Sequence, residues 1–116
     1  MAPDGTGRWL LFVKDETEHP KAEKNIRLVR AETPWGPFSK PSAPITGRYW
    51  AEGPTAIRIS GAWYVYFDRY REHRFGVVRS DDLEHWKDLS DSLHMPAGVR
   101  HGTVFSVPSA IADALR

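Results

Sequence analysis

An internal repeat is the feature that most constrains how this chain of 116 residues can fold. The segment GRWLLFVKD at residues 7–15 aligns with GAWYVYFDR at 61–69, at an offset of 54 residues. Farther along, IRLVRAETPWGPF at 26–38 aligns with FGVVRSDDLEHW at 75–86, where Arg30 matches Arg79 at an offset of 49. Short apolar runs that recur with turns between them predict one sheet for each copy.

The apolar runs predict strands that are covered on both faces. WLLFV and WYVYF are apolar at consecutive positions and lack the alternation of a strand that is wet on one face. The 14 aromatic residues, 9 glycines and 9 prolines favour short strands and turns over helices. We therefore predict an all-β fold, either a β-propeller or a β-sandwich, and the repeat favours the propeller. The one predicted helix is the tail PSAIADALR.

The repeat divides this single predicted domain into four segments. Residues 1–47 are expected to form an incomplete blade, 48–98 a complete blade, 99–108 a closing strand, GTVFSV, and 109–116 a C-terminal tail. Glu52 shifted back by 54 residues falls before Met1, so the first blade is expected to lack its opening strand. The predicted architecture is a partial propeller of about two antiparallel blades plus one closing strand.

Charge and composition exclude several classes of protein. The 16 basic and 15 acidic side chains give a formal net charge of +1 without a basic stripe, which argues against a nucleic-acid or membrane partner. Cysteine is absent, so no disulfide forms. No apolar run approaches the roughly 20 residues of a membrane span. The N-terminus lacks the basic and apolar regions of a signal peptide, which predicts a cytoplasmic protein if Met1 is the native start.

The repeat also predicts where a site lies. In a propeller the first strand of each blade lines a central channel, so Glu52 and His101, at equivalent positions 49 residues apart, are expected to face one hollow. Trp50 and Pro54 flank Glu52, and the shielding would help its carboxyl group to hold a proton. The alternatives are a solvated loop carboxylate for Glu52 and a hydrogen-bonded structural histidine for His101.

Two neighbouring segments have two interpretations each. The segment DRYR at 68–71 either projects toward the hollow, where its arginines could form hydrogen bonds with a ligand or orient a carboxylate, or forms a turn in which Asp68 and Arg69 satisfy each other. Tyr49 and Trp50 either stack on a ligand in the hollow or pack within the protein. SDDLEHW at 80–86 is predicted to be a structural turn. The other four histidines lack zinc-site spacing; they are His19, His73, His85 and His94.

Three segments carry a resemblance to a known family. AEGPTAIRISGAWYVYFDRY, RSDDLEHW and RHGTVFSVP resemble the C-terminal blades of glycoside hydrolase family 43, and the resemblance covers nearly the whole chain. Those enzymes are five-bladed propellers that act on glycans containing arabinose, xylose or galactose. The resemblance implies hydrolysis of arabinofuranosyl or xylosyl bonds with inversion, with Glu52 as the general acid. It implies substrate binding by Trp50, Arg69, Arg71 and His101.

The resemblance also implies that the chain is catalytically incomplete. The family adds an aspartate base and a second, orienting aspartate, and both would fall before Met1. We therefore expect a chain that binds an oligosaccharide or glycoside but is weak or inactive alone, and that self-associates through exposed blade faces. No cofactor is required; the family allows a central calcium ion, which His101 would hold directly or through water. The alternatives are a small all-β carbohydrate-binding module and a non-catalytic structural fragment.

Overall fold

The chain folds into two antiparallel sheets in a computed structural model that describes residues 1–116. The first sheet has the order β1 (Ala2–Pro3), β2 (Trp9–Lys14), β3 (Ile26–Ala31). The second has the order β4 (Glu52–Ile59), β5 (Ala62–Arg69), β6 (Arg74–Ser80), β7 (Lys87–Asp88). A 3-10 turn at Ser90–Ser92 and the helix α1 (Ser109–Ala114) complete the chain. The predicted all-β class and tail helix are confirmed, and α1 is far too short to cross a membrane.

The two sheets repeat the same strand pairing. Trp9 lies opposite Ala31 in the first sheet, and Trp63 lies opposite Ser80 in the second. These are the partners that the offsets of 54 and 49 make equivalent. The internal repeat of the sequence is therefore a structural repeat of one antiparallel hairpin.

Two predicted boundaries differ from the structure. The first sheet does have an opening strand, the two-residue β1, in which Ala2 pairs with Leu10. Conversely, residues 99–108 form no strand, and their link to β4 is a hydrogen bond from the Val104 amide to Thr55 Oγ1 of 3.1 Å. A register shift follows Glu52 in β4, and Pro54 has no amide hydrogen, so this edge cannot continue a regular ladder.

The hydrophobic core lies between the two sheets. Leu10 and Ile26 from the first sheet form one buried cluster with Val65, Phe67 and Val78 from the second. Burying a side chain of this size stabilises the fold by about 1.5–3 kcal/mol. The sheets are therefore held together mainly by apolar packing.

The strands are covered on both faces less completely than their apolar sequences predict. In β5 burial still alternates, since Trp63 and Val65 are buried whereas Tyr64 is half-buried. In β2 only Leu10 is buried. Each sheet therefore has one well-packed face and one that is partly open.

The closing aromatic residue packs on the neighbouring sheet in the second copy of the repeat but not in the first. Trp86, which follows β6, packs edge-on against Phe12 of β2, with ring centroids 6.1 Å apart. The matching aromatic of the first sheet, Phe38, pairs with Ala31 by a single bridge and remains 52% exposed. Trp35 in the same turn is 86% exposed. The aromatic contact that joins the second sheet to the first therefore has no counterpart on the outer side of the first sheet.

The segment SDDLEHW forms the predicted structural turn. Ser80 Oγ accepts a hydrogen bond of 2.8 Å from the Leu83 amide, and Asp82 Oδ1 accepts one of 2.8 Å from the His85 amide. Leu83 and Trp86 pack against the core. The short polar side chains thus fix the turn and the two apolar ones anchor it.

Candidate functional site

Three side chains from distant parts of the sequence converge at one end of the second sheet. One carboxylate oxygen each from Glu52 and Asp68, and a ring nitrogen of His101, lie within 4.8 Å of one another. His101 Nε2 is 3.6 Å from Glu52 Oε1 and 4.0 Å from Asp68 Oδ2. We call these three residues the Glu52 site.

The strand register places the two carboxylates together. Glu52 begins β4 and lies directly opposite Asp68 on β5. Opposed residues on antiparallel strands point to the same face of a sheet, so their side chains meet. The predicted approach of Glu52 and His101 is thus extended by a third group, which comes from the end of β5.

Gly53 lets the imidazole reach this position. Its φ of +59° lies in the left-handed region, and a Cβ atom there would be 2.6 Å from Nδ1 of His101. His101 itself has a φ of +49°, which is uncommon for a residue with a side chain. The left-handed backbone at both positions therefore allows the histidine ring to lie against the β4 bulge.

Each carboxylate is already paired with a cation. Lys14 Nζ donates a hydrogen bond of 3.1 Å to Glu52 Oε2, and Arg100 Nε donates one of 2.7 Å to Asp68 Oδ2. Burial disfavours the charged form of Lys14, but hydrogen bonds to Glu16 and Glu52 outweigh it and raise the pKa of Lys14 above its ordinary value. The hydrogen bond to Asp68 raises the pKa of Arg100 in the same way. Each of the two carboxylates thus faces one cation, and Lys14 is shared with Glu16 at 2.8 Å.

Asp68 keeps one acceptor free. Its side chain is 1% exposed, and Oδ1 is buried without a hydrogen-bond partner in the protein. A buried carboxylate oxygen without a donor costs free energy, so it favours a bound hydroxyl or water that supplies one. The cluster therefore offers donors from Lys14, Arg100 and His101 beside one unfilled acceptor, a combination that suits a ligand with hydroxyl groups.

The donor set does not fit the calcium ion that the family resemblance allows. Calcium takes about six to eight oxygen ligands. This chain supplies two carboxylates, each already bound to a cation, and an imidazole nitrogen. The suggested role of His101 as a ligand of that calcium ion therefore gains no support from its neighbours, although Glu52, Asp68 and His101 could together hold a metal ion that prefers fewer ligands.

The predicted sugar-binding residues Trp50 and Arg71 lie beside the site and contact each other. The Arg71 guanidinium is 4.4 Å from the centre of the Trp50 ring, and Tyr70 packs against the same ring at 6.1 Å. Lys14 Nζ lies 4.6 Å from the centre of the Tyr70 ring. Lys14 and Tyr70 therefore connect Trp50 to Glu52.

Arg69 lies on the opposite face of β5 from Asp68. Its guanidinium is 3.9 Å from the Tyr49 ring and 2.5 Å from Glu72 Oε2. Adjacent residues of a strand point to opposite faces, so Asp68 joins the Glu52 site and Arg69 does not. Arg69 therefore does not project toward the Glu52 site as predicted, and Asp68 and Arg69 pair with Arg100 and Glu72 and not with each other.

Tyr49 is a packing residue. Its ring stacks on Phe67 at 5.7 Å, and its hydroxyl donates a hydrogen bond to Asp88. Burial and the neighbouring carboxylate raise the pKa of Tyr49 to about 12. Of the two aromatic residues ahead of Glu52, Trp50 is therefore the one next to the site.

Lys14 and Arg100 are site residues that the sequence reasoning missed. The offset of 54 that aligns the two Trp strands places Lys14 at the position of Asp68. The repeat therefore contained a signal for Lys14, because aligned positions at the ends of equivalent strands occupy equivalent places in their sheets. Arg100 directly precedes His101, and the repeat contains no signal for it, because the equivalent residue 49 positions earlier is uncharged.

Comparisons of the chain with models of protein families, with curated protein sequences and with solved structures found no match. The function has to follow from the geometry of the Glu52 site and its surroundings.

Proposed function

We propose that this chain binds glycosides of the arabinofuranosyl or xylosyl type at the Glu52 site, as the acid-bearing part of an inverting glycosidase. The observation that carries the proposal is the approach of His101 Nε2 to within 3.6 Å of Glu52 Oε1. The repeat and the family-43 resemblance both require these residues, 49 positions apart, to meet in one hollow.

The partial-propeller architecture is part of the same proposal. The second sheet has four antiparallel strands in sequence order, with Glu52 at the start of the first. Up-and-down sheets of four strands are the blades of propellers. The packing of Trp86 on Phe12 also joins the sheets in one direction, as repetition around an axis requires.

Lys14 gives Glu52 a way to act as the general acid. An acid must hold a proton, whereas an ammonium beside a carboxylate stabilises its charged form. Lys14 Nζ contacts Glu16 Oε1 at 2.8 Å as well as Glu52 Oε2 at 3.1 Å. A sugar that enters can therefore displace Lys14 from Glu52 while Lys14 keeps its contact with Glu16, which removes the contact that opposes an acid role for Glu52.

Asp68 cannot serve as the matching base. Inverting glycosidases separate their two carboxyl groups by about 6.5–9.5 Å to leave room for a water molecule. Asp68 is closer to Glu52 than this, is bound to Arg100 and is 1% exposed. We therefore propose binding without hydrolysis for these 116 residues.

The experiment is a titration of the purified chain with 4-nitrophenyl α-L-arabinofuranoside and 4-nitrophenyl β-D-xyloside, followed by NMR. We expect shifts in the amide signals of Glu52, Asp68 and His101, and no release of 4-nitrophenol. Glu52→Gln replaces the carboxyl group that the proposal places against the sugar, so the Kd should rise about tenfold. Glu84→Gln is the matched control, because Glu84 pairs with Arg30 at the surface.

Three results would contradict the proposal. No binding of either glycoside at millimolar concentration would remove the function. Hydrolysis that Glu52→Gln abolishes would show that the chain holds a base that we have not identified. Binding that survives Glu52→Gln unchanged would instead favour a carbohydrate-binding module, for which the Trp50 and Tyr70 rings would supply the contact.

A further inference from the structure

Trp50 separates two grooves that lie outside the Glu52 site. One, of about 610 Å³, is lined by Lys21, Asn25, Arg48 and Trp50 among others. The second, of about 360 Å³, shares Arg48 and Trp50 with the first and adds Arg71. We call these five residues the Trp50 groove.

The groove contains cations without partners. Lys21, Arg48 and Arg71 are exposed and make no ion pair or side-chain hydrogen bond with the rest of the protein. The two lining carboxylates are already engaged elsewhere, since Glu23 faces Arg27 at 3.8 Å and Glu72 faces Arg69 at 2.5 Å. The two grooves are therefore lined by three cations (Lys21, Arg48 and Arg71) and two carboxylates, which leaves a net positive charge.

Asn25 adds a buried polar group that points to a ligand. Its side chain donates a hydrogen bond of 3.1 Å from Nδ2 to Glu23 Oε2, but Oδ1 is buried without any partner. The residue is 5% exposed and lines the larger groove. An unsatisfied buried acceptor of this kind favours a ligand that brings a hydroxyl donor.

Trp50 provides an apolar surface between the cations. Its half-buried indole contacts both grooves and carries the Arg71 guanidinium at 4.4 Å. The apolar C–H face of a sugar packs against an aromatic ring, while a guanidinium can bind a carboxylate with two parallel hydrogen bonds. Indole, cations and an amide acceptor together match a sugar that carries both hydroxyl groups and a carboxylate.

We propose that the Trp50 groove binds a hexuronate unit of a glycan whose neighbouring unit occupies the Glu52 site. The location of the neighbouring unit rests on the proposed function. Lys14 contacts both Glu52 and Tyr70, and Tyr70 contacts Trp50, so the two sites form one continuous surface. The substrate class is thus an acidic, uronate-substituted oligosaccharide.

The test compares a glucuronate-substituted xylo-oligosaccharide with the same compound after its carboxyl group has been reduced to an alcohol. Calorimetry with the full chain at low salt should give a Kd about tenfold lower for the acidic compound, and the difference should shrink at 0.5 M salt, where exposed charges are screened. Arg48→Gln and Arg71→Gln should each remove most of the difference. Arg58→Gln, at another exposed arginine without an ion pair, is the matched control.

The variants separate this inference from the proposed function. Glu52→Gln should weaken both compounds and leave the ratio of their Kd values unchanged. If free glucuronate still binds in an Arg71-dependent way while neutral glycosides do not bind, the groove stands and the proposed function falls.

Two outcomes would overturn the inference itself. One is an equal Kd for the acidic and reduced compounds. The other is equal competition by inorganic sulfate at the same ionic strength, which would show a surface that attracts any anion.

Discussion

Replacing Gly53 by alanine tests the shape of the Glu52 site most directly. The substitution adds one methyl group at a position with a φ of +59°, where the new Cβ would lie 2.6 Å from Nδ1 of His101. No relaxed structure accepts that distance, so a group must move. Because the His101 side chain is 58% exposed, we expect its ring to rotate away while the β4 backbone stays in place.

The expected cost has two parts that can be separated. A residue with a Cβ in the left-handed region costs about 1–2 kcal/mol, and the reduced entropy of the unfolded chain offsets part of this. A net loss of about 1 kcal/mol should lower the Tm by about 4 °C for a chain of this length. The steric contact adds little to this cost, because an exposed ring can yield, but it removes the imidazole from Glu52.

Gly61→Ala is the matched control. Gly61 has a φ of +83°, and a Cβ there would meet no atom within 4 Å. Both variants should therefore lose similar stability in chemical denaturation, whereas only Gly53→Ala should shift the His101 ring signals in NMR and weaken glycoside binding several-fold. Unchanged ring signals and equal glycoside affinity in the two variants would refute the reasoning about the close contact.

Three further predictions concern packing, association and pH. Gly76→Ala would place a Cβ 2.3 Å from the buried Phe67 ring, so overpacking should cost about 1–3 kcal/mol in urea denaturation; a neutral result would show that the core is loose. Trp35, 86% exposed on the uncovered side of the first sheet, should drive self-association, which light scattering would detect and Trp35→Ser should reduce; an unchanged mass would count against that surface. The hydrogen bond to Asp82 raises the pKa of His85, so its stabilising effect is full below about pH 6.5 and is lost as the pH rises through the raised value. The urea midpoint of His85→Gln should therefore be lower than that of the parent protein, and this difference should be largest at pH 5.5 and smallest at pH 8.5. A difference that stays constant with pH would contradict the prediction.

The repeat explains why much of the fold is predictable from one sequence. Trp9 and Trp63 begin equivalent strands, and each has the partner that the offsets require. A pattern that occurs in both aligned copies is stronger evidence for a turn or strand than a single occurrence, because it rarely reflects chance. The turn around Asp82 was predictable for a different reason, since its side chain satisfies the backbone locally.

The predictions that were wrong concern segments whose structure depends on contacts between distant residues, which no local sequence pattern records. The residues at 102–107 look like a strand, but the bulge at Gly53 and the missing amide of Pro54 deprive them of a regular partner edge. Side-chain pairing fails for the same reason. Asp68 pairs with Arg100, which is 32 residues away, and not with its neighbour Arg69, because neighbouring residues of a strand face opposite ways.

The Glu52 site depends on the stacking of the two sheets. Lys14 ends β2 in the first sheet, whereas Glu52 and Asp68 belong to the second, and Arg100 and His101 come from the segment that follows it. Neither sheet alone contains the balanced charges of the site, since the second sheet without Lys14 would present Glu52 with no cation at hydrogen-bonding distance. The core that joins the sheets therefore also sets the electrostatics of the site. It follows that a core substitution that loosens the stacking should weaken glycoside binding before it unfolds either hairpin.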